Sequence, residues 1–273
     1  MMKINIGQYI VGDSLMHRAD PRTKIILTFL FLMVVLIIDS FIGFLICFAF
    51  VTFAVLSSGI QIRSVLRGMK PIFFLLLITV TLNVFTIPGK ELISIGIFKI
   101  TDQGIIVSLK TAFRLLLLVS GASLLTFVTT PTVLTDGIES LLNPLKRFKI
   151  PVHEFAMMMT IALRFIPTLL EESDKIIKAQ SARGADFDNG NIFKRVKAYV
   201  PIIIPLLIGS FMRANELATA MEARCYKGGE GRTRMKVLAF SRDDIILVLV
   251  FAVLTGLELM IRFYPNMFGF TII

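Results

Sequence analysis

Long runs of apolar residues recur along this chain of 273 residues. The first run extends from Ile25 to Leu56 and is interrupted only by Asp39 and Ser40. As a single helix it would be about 48 Å long at about 1.5 Å per residue, whereas the hydrocarbon core of a bilayer is about 30 Å thick. The run therefore predicts two membrane spans joined by a tight turn at Asp39–Ser40.

The composition agrees with a membrane location. Hydrophobic residues make up 55% of the chain and charged residues 18%, and the mean hydropathy is +0.80. Soluble domains average roughly 45–50% apolar and about 25% charged residues. This balance excludes a soluble single-core enzyme and a disordered chain. It predicts an all-α integral membrane protein with about five transmembrane helices and a cytoplasmic domain of about three long helices.

Two further apolar runs, Phe155–Leu170 and Val200–Met212, are interpreted as lying at or below the membrane surface. If both crossed the bilayer, the basic segment 171–199 would lie outside. Lys and Arg are concentrated in cytoplasmic loops of membrane proteins, which argues against that arrangement. The same rule places the N-terminus and segment 131–244 in the cytoplasm and the C-terminus outside the cell membrane.

The predicted layout has three parts. A membrane domain occupies residues 1–130, a cytoplasmic domain occupies 131–244, and the last span with an outer C-terminus occupies 245–273. The outer loop 88–110 contains short alternating pieces that suggest a small hairpin. The spans of the membrane domain are predicted at about residues 22–38, 41–60, 71–87 and 111–130.

The cytoplasmic domain shows three helical stretches, at Pro131–Phe148, Val152–Ala182 and Pro201–Arg224. The second ends at Arg183-Gly184, where glycine suits a helix C-terminus. The spacing from Pro167 to Arg183 is 16 residues and that from Pro205 to Arg224 is 19, a difference of about one helical turn. Both arginines are therefore expected to project from similar faces. The pattern alone leaves open that these are two unrelated amphipathic helices.

Motifs for chemistry are missing from the sequence. It contains no phosphate-binding loop, nucleophile elbow or zinc-protease motif, and its two histidines are far apart. No catalytic residue, no metal site and no disulfide framework are predicted. Arg114 and Glu258 are the clearest ionisable residues within the apolar runs, and pairing or snorkelling near a helix end is expected for Arg114.

Four stretches of the sequence together resemble one family. They are Gly12-Asp13-Ser14-Leu15 leading to His17-Arg18-Ala19-Asp20-Pro21-Arg22-Thr23-Lys24, then Leu134-Thr135-Asp136-Gly137-Ile138-Glu139, then Ser181-Ala182-Arg183-Gly184-Ala185-Asp186-Phe187, and Met221-Glu222-Ala223-Arg224-Cys225-Tyr226-Lys227-Gly228-Gly229-Glu230-Gly231-Arg232-Thr233. They resemble the transmembrane T component of energy-coupling factor (ECF) transporters. The likeness covers nearly the whole chain, and the two Ala-Arg motifs at helix ends are its specific part.

The resemblance implies a non-enzymatic coupling subunit of an ATP-driven importer for vitamins or other micronutrients. Its expected partners are two ATP-binding cassette ATPases, identical or related, a small substrate-binding membrane subunit, and the lipid bilayer. ATP would be bound by the ATPases, so no cofactor is expected on this chain, and no nucleic-acid partner is expected. The motifs that would dock the ATPases are Ala182, Arg183 and Gly184, and Ala223, Arg224 and Cys225.

The apolar first halves of the second and third cytoplasmic helices are the remaining candidate surface. We hypothesise that they contact the substrate-binding subunit or each other; an internal core is the alternative. The residues concerned are Met157, Ile161, Phe165, Leu207 and Phe211. Two other classes of function remain as alternatives. A self-contained secondary transporter would work without ATPases, and a membrane-embedded enzyme is disfavoured because no cluster of catalytic groups is found.

Overall fold

The computed structural model describes residues 9–95, 98–185, 187, 192–229 and 238–263. It divides into two compact units: the membrane unit, Met1–Ser140 with Leu238–Ile273, and the insert unit, Leu141–Val237. The elements are α1 (Leu15–Arg18), α2 (Pro21–Ile37), α3 (Phe41–Ser57), α4 (Ile62–Thr86), β1 (Glu91–Ile95), β2 (Phe98–Thr101), α5 (Asp102–Val128), α6 (Pro131–Leu142), a 3-10 helix (Asn143–Phe148), α7 (Val152–Ala182), α8 (Ile192–Ala223) and α9 (Arg242–Phe263).

The fold is that of an all-α integral membrane protein, as predicted. The strands described are β1 and β2, which pair antiparallel with Glu91 opposite Thr101 and Ile95 opposite Phe98. This pairing confirms the hairpin predicted in the loop 88–110. The predicted division at residues 131 and 244 concerns the two sides of a membrane, and it stays a prediction.

Helix length and composition select fewer spans than the five predicted. The stretches Asp102–Val128, Val196–Ala223 and Arg242–Ile261 are long and apolar enough to cross a bilayer. A fourth span results if the two parts of α4 count as one. These parts, Arg63–Lys70 and Ile72–Thr86, meet at an angle of 60°. The helices α2 and α3 have 17 residues each, at the lower limit of about 17–25 residues for a span. Val196–Ala223 overlaps a run that the charge pattern places outside the bilayer.

The core of the membrane unit forms around α5, which packs against α2, α3 and α4. Val35, Phe44, Cys47 and Leu117 are completely buried there. Gly121 allows α5 to approach α2 closely, because a Cβ atom at this position would lie 2.6 Å from the ring of Phe31. Small residues at such crossings are typical of membrane helices, whose association depends on close packing.

Arg114 joins α5 to the turn between α2 and α3. Its guanidinium donates hydrogen bonds to the carbonyl oxygen of Ile38 at 2.7 Å and to the carboxylate of Asp39 at 2.8 Å. The same turn begins α3, because the Ser40 side chain accepts a hydrogen bond from the backbone N–H of Gly43. The pairing expected for Arg114 is thus confirmed, but Arg114 lies in the middle of α5 and the helix end that it contacts is that of α2.

His17 has a structural role at the start of the chain. Its Nε2 lies 3.0 Å from the carbonyl oxygen of Ile10, so Nε2 carries the proton and donates. Nδ1 then accepts a hydrogen bond from the hydroxyl of Ser14 at 2.7 Å. Gly12 leaves room for the ring, since a Cβ atom there would lie 2.8 Å from it. Both nitrogens are engaged in holding the N-terminal segment.

The insert unit agrees with the predicted helices in part. The bounds of α7 are those predicted, whereas α6 ends at Leu142 and continues as a 3-10 helix to Phe148. Pro144 lies within that 3-10 helix and lacks the backbone N–H that an α-helix needs. The third helix begins at Ile192 and includes two prolines in its interior. The predicted start at Pro201 was therefore wrong, because that proline does not occupy the first helical turn.

Candidate docking site

The first Ala-Arg motif ends α7 in a Schellman motif. Arg183 is the C-cap residue. The N–H of Gly184 donates to the carbonyl oxygen of Ser181 at 3.0 Å, and the N–H of Ala185 donates to that of Gln180 at 3.0 Å. These two bonds define the motif. Gly184 has a φ of +86°, the left-handed conformation that glycine adopts without strain.

The second Ala-Arg motif ends α8 with the same pair of bonds. The N–H of Cys225 donates to the carbonyl oxygen of Glu222 at 2.8 Å, and the N–H of Tyr226 donates to that of Met221 at 3.0 Å. Cys225 occupies the position of the glycine, with a φ of +58°. The helix end is therefore imposed by these backbone bonds although the residue type does not favour it.

The two motifs present their arginines in the same way. Arg183 and Arg224 each follow the last helical residue, and both are exposed. Within the described part of the chain, no carboxylate lies within ion-pair distance of either guanidinium. A guanidinium offers five N–H donors and a permanent charge. The exposed residues of the two motifs are Ala182, Arg183, Gly184, Ala223, Arg224 and Cys225.

Replacing Cys225 with glycine is expected to stabilise the insert unit. A non-glycine residue in the left-handed conformation costs about 1–2 kcal/mol. Glycine removes this cost but also gives the unfolded chain more conformational entropy, which favours unfolding. We therefore expect the free energy of unfolding to rise by about 0.5–1 kcal/mol. Gly184→Ala is the reverse substitution, with no atom within 4 Å of the added Cβ, and should lower stability. Thermal unfolding followed by circular dichroism measures both. A lower melting temperature for Cys225→Gly would contradict this account.

Helices α7 and α8 pack antiparallel. The ring of Phe187, just after α7, lies 5.5 Å from that of Tyr199 near the start of α8. At the other end, a Cβ atom at Gly229 would lie 2.7 Å from His153, at the start of α7. The two arginines therefore lie at opposite ends of the helix pair, and the expectation that they project from similar faces stays a prediction. A straight helix with the 31 residues of α7 is about 46 Å long, which sets the scale of their separation.

A groove of about 260 Å³ runs between α7 and α8. It is lined mainly by apolar side chains, among them Ile161, Phe165, Leu217 and Met221. An ion pair joins the same two helices, because the guanidinium of Arg213 donates to the carboxylate of Glu172. Apolar side chains and this ion pair thus both hold the antiparallel pair together.

The structure separates the five predicted apolar contact residues into two groups. Met157, Ile161 and Phe165 on α7 are half-buried, and the last two face α8 across the groove. Leu207 and Phe211 on α8 are 56% and 65% exposed. They continue an exposed apolar stripe on α8, here called the α8 stripe, which consists of Ile204, Leu207, Ile208 and Phe211.

The Glu172–Arg213 pair was not predicted from the sequence. The sequence did contain a signal for such a pair. Each residue places a charge on a mostly apolar helical face, and the two charges have opposite signs. The sequence gives no register between two helices, so it could not identify these two as partners. The positive φ of Cys225 had no signal in its residue type, because cysteine rarely adopts that conformation.

Similarity to known proteins extends over most of the chain. The model of the CbiQ family, described as "Cobalt transport protein", matches residues 12–235. A protein of Ruminiclostridium cellulolyticum named "Energy-coupling factor transporter transmembrane protein EcfT" is 58% identical over 89% of this chain and 91% of its own length. Proteins of the same name from Thermosediminibacter oceani and Bacillus subtilis are 48% and 44% identical, over 96% and 94% of this chain and over 99% and 97% of their own lengths.

These matches cover both units, including the N-terminal segment and both helix-end motifs. Two of these relatives match over nearly their full lengths. Together with the apolar helices, these matches identify the chain as a multi-pass membrane protein of a transport family. The chain belongs to the CbiQ family, among the transmembrane components of energy-coupling factor transporters.

Proposed function

We propose that this chain is the coupling subunit of an ATP-driven importer, which transmits the motions of two ATPases to a small substrate-binding membrane subunit. The substrates would be vitamins or other micronutrients, and ATP would bind to the ATPases alone. The observation that carries the proposal is the pair of helix ends with one hydrogen-bond pattern. Each presents an exposed arginine without an acidic partner among the described residues.

The placement of the arginines suits two partners better than one. A helix end is narrow, about 10–12 Å across with its side chains, and fits a groove on a protein surface. The motifs lie at opposite ends of a pair whose length is about 46 Å, so one groove cannot hold both. A carboxylate in each groove would pair with the planar guanidinium through two hydrogen bonds.

The α8 stripe is the proposed contact for the substrate-binding subunit. Its side chains are large, apolar and exposed, from 51% for Ile204 to 65% for Phe211. Contiguous apolar surface of this kind marks sites of association with protein or membrane. Ile161 and Phe165 face α8. They therefore support the proposed contact only indirectly, because they help to pack α7 against α8.

The orientation can be tested with the native cysteines. Cys225 is exposed and Cys47 is buried in the membrane unit. If the insert unit is cytoplasmic, a membrane-impermeant maleimide should label Cys225 only after permeabilisation, in cells that express this chain without the ATPases that are proposed to cover the motif. Cys225→Ser should remove the signal and thereby identify the labelled residue. Labelling in intact cells would place the insert unit outside and contradict the predicted topology.

Purification in mild detergent tests the proposed function directly. The chain should be co-expressed with candidate ATPases and a small membrane protein from its own genome, and then captured through a tag on this chain. We expect two ATPase chains and one small subunit for each copy, together with uptake that requires ATP in liposomes. Uptake by the chain alone, driven by an ion gradient, would instead support a secondary transporter.

A further inference from the structure

The chain enters and leaves the insert unit through two segments that belong to the membrane unit. The entering segment is residues 131–140 of α6, and the leaving segment is residues 238–244. Both contact the same short stretch at the start of α2, Asp20–Ile25, here called the anchor turn. These contacts all lie within the membrane unit.

The leaving segment is attached to the anchor turn through Asp244. One carboxylate oxygen accepts the backbone N–H of Asp20 at 2.8 Å, and the other accepts the N–H of Ser241 at 2.7 Å. Asp244 is only 2% exposed. Hydrogen bonds to a buried charged group are stronger than those between neutral groups, so this carboxylate fixes the start of α9 against the start of α2.

Arg22 adds a second attachment of the leaving segment. Its guanidinium lies 3.5 Å from the carbonyl oxygen of Leu238, the first residue after the insert unit. The same guanidinium is 5.8 Å from the centre of the Phe240 ring, within the range of a cation–π interaction. The anchor turn thus contacts the chain at the point where it returns from the insert unit.

The entering segment rests on the anchor turn through Gly137 in α6. A Cβ atom at this position would lie 3.0 Å from Cβ of Pro21 and 3.0 Å from Cδ1 of Ile25. The backbone of α6 is therefore in direct contact with the first turn of α2. Glycine allows this approach because a larger side chain would separate the two helices.

The anchor turn itself is firmly held. The carboxylate of Asp20 caps α2 by accepting the N–H of Arg22 at 2.9 Å. The ammonium of Lys24 donates to the carbonyl oxygen of His17 at 3.1 Å. Asp20, Thr23 and Lys24 are all buried. A buried, hydrogen-bonded turn transmits displacement because packed interiors are not continuously deformable.

We infer that the anchor turn is the attachment through which movement of the insert unit reaches the membrane unit. Asp244 and Arg22 are its positioning residues. This inference rests on the proposed coupling function. When ATPases move the insert unit, α6 and residues 238–244 pull on the same turn, so both connections act on α2 together. Without that attachment, ATP hydrolysis would continue while the membrane unit no longer followed it.

Asp244→Asn tests the attachment in the complete complex in liposomes. An asparagine has one acceptor oxygen and cannot hold both N–H groups, so we expect the uptake per ATP hydrolysed to fall about tenfold while the ATPases stay bound. Asp243→Asn is the matched control, because it makes the same charge change one residue earlier, outside the anchor contacts. Arg22→Gln should act in the same direction, which covers a failure of Asp244→Asn to fold.

The outcomes separate the two proposals. If the unmodified chain holds no ATPases, the proposed function fails. If it holds them and the Asp244→Asn and Asp243→Asn complexes have the same uptake per ATP, the anchor inference fails. A parallel fall of hydrolysis and uptake, with their ratio unchanged, would show a merely structural role and also overturn it.

A disulfide tests whether α6 stays in contact with the anchor turn during transport. Cysteines at 21 and 137 would place their Cβ atoms 3.0 Å apart, about 0.5–1.5 Å closer than a disulfide requires, so a small adjustment allows the bond. We expect the oxidised and reduced Pro21→Cys, Gly137→Cys complexes to transport within about twofold of each other. The unmodified chain, treated with the same oxidant, controls for Cys225. Loss of uptake on oxidation with recovery on reduction would mean that α6 leaves the turn, and would overturn the inference.

Discussion

A variant carrying both Arg183→Glu and Arg224→Glu is expected to lose ATP-driven uptake and to release the ATPases. Removing one partner of a desolvated charge pair costs about 2–5 kcal/mol, because the other charge is left buried and unpaired. Glutamate adds repulsion from the acidic groove. An exposed arginine that only favours the helix C-terminus would contribute about 0.3–1 kcal/mol. Quantifying ATPase bound per purified chain, together with uptake in cells, distinguishes the two cases.

Lys178→Glu is a matched control for the charge reversal. Lys178 is exposed on α7, one turn before the helix end, and the substitution makes the same change of charge as Arg183→Glu alone. It should leave both binding and uptake close to normal. Arg183→Lys should be partly defective, since lysine keeps the charge but not the planar pair of donors. Normal uptake by the double glutamate variant would refute the docking role of both arginines.

The single variants should differ from the double variant in kind. Because α7 and α8 are antiparallel, the two motifs are separated by roughly the length of a helix. Arg183→Glu should therefore weaken one contact and leave the Arg224 end attached. If ATPases are held at both ends, the single variants should retain part of the bound ATPase. Such partial retention distinguishes two docking points from one shared point.

Some features of the fold could be predicted because their causes are local. The bounds of α7 follow from apolar periodicity and from the glycine that terminates the helix. The hairpin in the loop 88–110 follows from alternation between turn residues. The start of α8 was missed because the predicted stretch was begun at Pro201, whereas the helix starts at Ile192 and continues through this proline.

Features that depend on a distant partner could not be predicted. The sequence suggests that Arg114 needs an acceptor, but only the fold brings Asp39 to it from 75 positions away. Likewise, periodicity identifies apolar faces on α7 and α8 without their relative rotation. It therefore grouped Ile161, which faces the neighbouring helix, with Phe211, which is exposed. That difference gives the two positions different expected effects on substitution.

Phe211→Glu is expected to release the substrate-binding subunit while the ATPases remain bound. Burying a phenylalanine side chain contributes about 1.5–3 kcal/mol, and an unpaired carboxylate in its place adds a desolvation cost of several kcal/mol. Since Phe211 is 65% exposed in this chain, the substitution should leave the insert unit folded. Uptake should fall to background, and the small subunit should be missing from the purified complex.

Ile161→Glu should behave differently because it places a charge in the groove between α7 and α8. That change weakens the packing that holds the two arginine-bearing ends in place, so ATPases and the small subunit should be lost together. Ala162→Glu is the control for an added charge on the helix pair. Ala162 is exposed, and it follows Ile161 by one position, which turns its side chain about 100° away from the groove.

The order of subunit loss therefore tests the assignment of the α8 stripe. Loss of the small subunit alone in Phe211→Glu requires an exposed contact that the helix pair does not need for folding. Loss of the ATPases first would mean that the stripe supports the docking ends and that the small subunit binds elsewhere. An unfolded Phe211→Glu insert unit, detected by loss of helical signal, would mean that the stripe is covered by this chain itself.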